Sequence, residues 1–74
     1  MNLEERDQIF ERFERSRDVL IATGDLLDQV EEDYSSIPTA IRRSRLTLAV
    51  SQYNNAGKQY KEAQEALLRF ITID

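Results

Sequence analysis

Ile9, Phe13, Ser16, Leu20, Thr23, Leu27, Val30, Tyr34 and Ile37 recur at strictly alternating spacings of four and three. Residues so spaced stay on one side of an α-helix, and a stripe held for this long is the seam along which a helix zips against another helix. Seven of these nine positions are apolar and the other two, Ser16 and Thr23, are small, so the polar positions narrow the stripe without breaking it. A second stripe follows in the same manner: Leu46, Ala49, Tyr53, Ala56, Tyr60, Ala63, Leu67 and Phe70. Two such stripes predict an all-α chain.

Between the stripes stands Tyr34-Ser35-Ser36-Ile37-Pro38, with two hydroxyl residues suited to capping a helix and the only proline of the chain. The expected architecture is a long antiparallel helical hairpin in one domain spanning residues 1–74: a helix over about 3–34, a turn over about 35–37 and a helix over about 38–71. Asn2 followed by Glu5 has the form of a capping box at the first helix start. Gly24 is a candidate kink, and Asn54-Asn55-Ala56-Gly57 has the composition of a loop. Neither shifts the phase of its stripe, so both helices are expected to run through. Both stripes alternate large with small residues. Folding about residue 36 sets Leu20 at the level of Tyr53, Thr23 near Ala49 and Ser16 near Ala56, an arrangement that predicts close approach of the two axes.

One seam does not account for all the apolar residues. Val19, Ile21 and Leu26 lie off the first stripe, Ile41, Leu48 and Val50 lie off the second, and the chain ends on Phe70-Ile71-Thr72-Ile73-Asp74. A stripe widened in this way belongs to a helix that packs on two neighbours. A chain of 74 residues also buries only about 60% of its unfolded surface by itself, and without cysteine it has no disulfide to compensate. Val19, Ile21, Leu26, Ile41, Leu48, Val50, Phe70, Ile71 and Ile73 are therefore the expected oligomer or partner interface, most simply a homodimer forming a four-helix bundle.

Charge divides the chain unevenly. Residues 1–34 hold eleven acids against four arginines, a net of −7, whereas residues 35–74 hold six bases against three acids, a net of +3. Near the turn, Asp25, Asp28, Glu31, Glu32 and Asp33 precede Arg42, Arg43 and Arg45. The acids and arginines steer the hairpin closed, or else Arg42, Arg43 and Arg45 form a patch for an anionic partner.

Chemistry is poorly provided for. The chain has neither histidine nor cysteine, which removes the usual general base, metal ligand and activated nucleophile. Acid pairs such as Glu11 with Glu14 and Glu62 with Glu65 read as solvated helix faces, and a carboxylate metal site between helices would lack the Glu-x-x-His motif. Gly24 and Gly57 stand alone, so there is no phosphate-cradling loop. The heptad spacing of Tyr34, Tyr53 and Tyr60 favours packing in a seam over base stacking.

The expectation is a non-enzymatic protein-protein interaction module, an adaptor, regulator or inhibitor acting as a homodimer, with no cofactor, no metal and no small-molecule substrate. The residues up to Asp7 are charged and no stretch is long and apolar enough for a membrane span, which predicts a cytoplasmic protein; size and simplicity suggest a bacterial or phage source. Two other classes compete. One is a nucleic-acid binder using Arg42, Arg43, Arg45, Lys58 and Lys61, which the net charge of −4 disfavours. The other is a chaperone-like subunit of a hetero-oligomer.

Overall fold

A computed structural model describes residues 3–73. They form two helices, α1 (Leu3–Ser36) and α2 (Ala40–Ile73), each of 34 residues, joined by a three-residue turn. At 1.5 Å per residue such a helix is about 51 Å long, and the molecule is a rod of 53 × 13 × 13 Å. Taking about 2.3 Å of Cα radius from each side of the 13 Å section leaves axes about 8 Å apart, the near end of the usual helix-packing range. Two straight helices lying flat would have one much thinner dimension. The equal widths mean that α1 and α2 are inclined to or wound about each other and do not lie flat and parallel.

The turn falls later than the sequence suggests. Ser35 and Ser36, expected as cap and turn, continue α1, and the Ile37 amide still donates to the Asp33 carbonyl at 3.2 Å. The cap of α2 is Thr39, whose Oγ1 accepts from the Arg42 amide at 3.2 Å and whose carbonyl accepts from the Arg43 amide at 2.9 Å. Pro38 precedes the cap instead of opening the helix, and α2 starts at Ala40 and runs to Ile73. Ile37 consequently leaves the seam and is 56% exposed. The Asn2 half of the expected capping box lies outside the described residues.

Neither suspected interruption is one. α1 passes through Gly24 and α2 through Asn54-Asn55-Ala56-Gly57 without a break, and no glycine takes a positive φ among the described residues. The two polar seam positions are satisfied locally. Ser16 Oγ donates to the Phe13 carbonyl at 2.9 Å, and Thr23 Oγ1 to the Val19 carbonyl at 2.8 Å, so neither carries an unmet hydrogen bond into the contact.

Packing follows the two stripes. Ala49, Ala56 and Ala63 are 3, 5 and 1% exposed and are the only buried residues described. Each stands seven residues from the next, so the smallest members of the α2 seam are the ones sealed by α1. Ile9, Phe13, Ser16, Leu20, Thr23, Leu27, Val30 and Tyr34 are half-buried, as are Leu46, Tyr60, Leu67 and Phe70. Phe13 packs on Tyr60 with ring centroids 5.3 Å apart, and Phe10 meets Phe70 edge-on at 6.5 Å.

The later turn also changes the level at which the helices meet. Tyr53 lies over Gly24, its Cε2 only 3.4 Å from where a Cβ would stand, and Leu20 lies over Gly57. At these levels a large side chain sits on the smallest residue, whereas large meets large at Phe13 and Tyr60.

Candidate interaction surface

Where each apolar side chain points follows from the seam. With α2 on one side of α1, three other sides of the helix remain: an outer ridge opposite the seam and a flank on either hand. The outer ridge of α1 carries Glu4, Glu11, Asp18, Asp25 and Glu32, an acid at every seventh residue, and all five are exposed. The corresponding ridge of α2 is Ser44, Ser51, Lys58, Glu65 and Thr72, polar throughout. Both ridges are built for water. Surplus apolar residues are therefore confined to the two flanks.

The first flank is marked by an open groove of about 520 Å³ lined by Val19, Thr23, Gln52, Asn55, Ala56 and Gln59 among others. Leu26 is seven residues from Val19, while Leu48 and Ile41 are seven and fourteen from Asn55, so all three share this flank. Ala22 lies between Val19 and Leu26. Val19, Leu26, Ile41 and Leu48 are all exposed. Leu26, Ile41 and Leu48 lie in the half of the rod nearest the turn, and Val19 at its midpoint. Between them the flank is mostly uncharged, with Gln29 and Gln52 beside the aliphatic groups and only Asp33 and Arg45 carrying charge.

The second flank is the side on which the two glycines lie. Phe10 and Ile21 belong to it on α1, fourteen and three residues before Gly24, and Val50, Leu68 and Ile71 belong to it on α2. Ile21, Val50, Leu68 and Ile71 are exposed, and Phe10 is partly shielded by Phe70. Here the larger apolar groups gather at the open end of the rod, near the helix termini. Among the expected interface residues Phe70 is half-buried against Phe10, and Ile73, though helical, has a side chain outside what is described. The off-seam residues thus divide between two flanks, with the larger groups of the second at the open end.

Arg42, Arg43 and Arg45 do not share a face. Arg42 is half-buried and its guanidinium donates to the Asp33 carbonyl at 2.9 Å, tying the first turn of α2 to the last turn of α1. Arg43 and Arg45, two residues apart, project about 200° from each other around the helix, onto the second and first flanks respectively. Cross-hairpin charge pairing is sparse: Arg12 reaches Glu62 at 3.9 Å, while Arg15 pairs with Glu11 within α1. Pairs this exposed contribute about 0–1 kcal/mol each. The unequal charges of the two helices therefore add little to closure of the hairpin.

Among the described residues no three acidic side chains converge on a common point, and no helix is long and apolar enough to cross a membrane. No family model matches this chain, and neither a curated protein nor a solved structure does. Fold and surface together define an all-α coiled hairpin with two apolar flanks.

Proposed function

We propose that this chain is a non-enzymatic protein-protein interaction module, an adaptor, regulator or inhibitor, that works as a homodimer in which two hairpins close into a four-helix bundle. One observation carries the reading. The chain exposes 5838 Å², whereas a compact monomer of its 8.7 kDa mass exposes about 4,700 Å². Its radius of gyration, 16.6 Å, compares with about 11 Å for a compact domain of this length. The surplus of about 1,100 Å² per chain would make an interface of about 2,200 Å² in a dimer, the size typical of obligate homodimers. Exposed Val19, Leu26, Ile41 and Leu48 on one flank, and Ile21, Val50 and Ile71 on the other, supply apolar area for such a contact or for a further protein partner.

The test is mass in solution. Sedimentation equilibrium is expected to give twice the 8.7 kDa chain mass. A well-folded species at the single-chain mass would refute the homodimer. A lone chain that unfolds or aggregates would favour the chaperone-like subunit of a mixed assembly. The separation of Arg43 from Arg45 weighs against a nucleic-acid interface, and salt decides that point: phosphate binding falls steeply as salt rises, and an apolar contact does not.

A further inference from the structure

Resting on the homodimer reading, we infer that the second copy docks on the first flank, over Val19, Leu26, Ile41 and Leu48, with both turns at the same end and α1 of each hairpin against α2 of the other.

Two symmetric ways exist to lay one hairpin flat on another. In the first, the twofold axis runs along the rod: turns coincide, and α1 faces the partner's α2. In the second, the axis runs across the rod: turns lie at opposite ends, and each helix faces its own copy. Two observations separate them. The aliphatic residues of the first flank sit off-centre, toward the turn. Coincident turns lay this patch on its own counterpart, whereas opposed turns carry it onto the stretch holding Arg12, Arg15 and Glu62.

Charge gives the second observation. Asp33 lies three residues before the end of α1 and Arg45 five residues after the start of α2, so they stand at nearly the same level on the same flank. They are the only charges amid the aliphatic patch. With coincident turns each Asp33 faces an Arg45 across the interface, twice by symmetry. With opposed turns neither acquires the other.

The second flank does not compete on equal terms. Its turn half holds Ile21 and Val50 among Asp28, Glu31 and Arg43, and its larger apolar residues lie at the far end. In the dimer inferred here that open-end cluster stays outward, available to a different protein.

Because the chain has no cysteine, one introduced thiol gives a single labelling site. Ser35→Cys, at the exposed end of α1 beside the turn and off the first flank, would be spin-labelled and the distance between labels measured by pulsed electron resonance. Coincident turns predict a separation of less than about 30 Å, given helix spacings of 8–10 Å. Opposed turns would place the labels nearly a rod length apart, 53 Å. Alongside this, Leu26→Asp is expected to raise the dimer dissociation constant roughly a hundredfold or more by burying two unpaired carboxylates, and Leu68→Asp to leave it unchanged. A dimer with the long distance, or one split by Leu68→Asp and not by Leu26→Asp, overturns this arrangement while leaving the homodimer intact. A folded unsubstituted chain at the single-chain mass overturns the homodimer reading itself. The distance measurement keeps the inference falsifiable should Leu26→Asp unfold.

Discussion

Replacing Gly57 with alanine offers a sharp test of the packing. Gly57 is in mid-helix with ordinary helical backbone, so the residue gains nothing from lacking a side chain conformationally. Relative to alanine it costs the helix about 0.8–1.0 kcal/mol. The new methyl would find Leu20 Cδ1 at 3.9 Å, an ordinary contact, and nothing closer. No steric term opposes the gain, so Gly57→Ala should stabilise the fold by about 1 kcal/mol, equivalent to roughly 4–8 °C in Tm for a domain of this size. Circular dichroism at 222 nm during heating, with chain concentration held fixed, reads it directly. Gly24→Ala provides the contrast, since there the methyl meets the Tyr53 ring at 3.4 Å. The ring must give slightly, and the net gain should be less than half of that at Gly57. A lower melting temperature for Gly57→Ala would mean that backbone or side chain from another molecule already fills that space. Docking on the first flank would then be wrong, because Gly57 borders the second.

Ala56→Leu should act in the opposite sense, destabilising by roughly 1–3 kcal/mol by forcing a branched side chain into a position that is 5% exposed; an unchanged urea midpoint would contradict the close alanine contact. Thr39→Ala removes the oxygen that caps α2 and should cost about 1 kcal/mol in the same assay, with Thr39→Ser restoring most of it. Arg42→Gln should lose about 1 kcal/mol through its bond to the Asp33 carbonyl, and Arg43→Gln should lose close to none.

The seam was readable because helical periodicity is a property of spacing alone. Every member of the α1 stripe from Ile9 to Tyr34 is less exposed than its neighbours on the outer ridge, and the three alanines of α2 are the residues most enclosed. Continuity through Asn54-Asn55-Ala56-Gly57 was also legible, since an unbroken phase outweighs four poor helix formers when one face is packed. The turn was harder. Ser35, Ser36, Pro38 and Thr39 all carry turn or cap chemistry, and local preference does not rank them. Misplacing the turn by two residues hides the contact of Tyr53 with Gly24, although Phe13 and Tyr60 meet at the register the stripes imply. The charges alone leave Arg42 either steering the hairpin closed or joining an anionic-partner patch; its bond to the Asp33 carbonyl depends on the turn geometry, which spacing does not supply.

The ladder of Ala49, Ala56 and Ala63 has a consequence for how such a chain behaves at low abundance. Among the described residues a lone hairpin fully encloses only three alanine side chains and half-covers most of the rest of its seam, so it has little interior of its own. If a twin completes that interior, dilution becomes a denaturant: each tenfold drop in protomer weakens the folded state by about 1.4 kcal/mol. The amount synthesised would then decide whether the molecule has a shape at all.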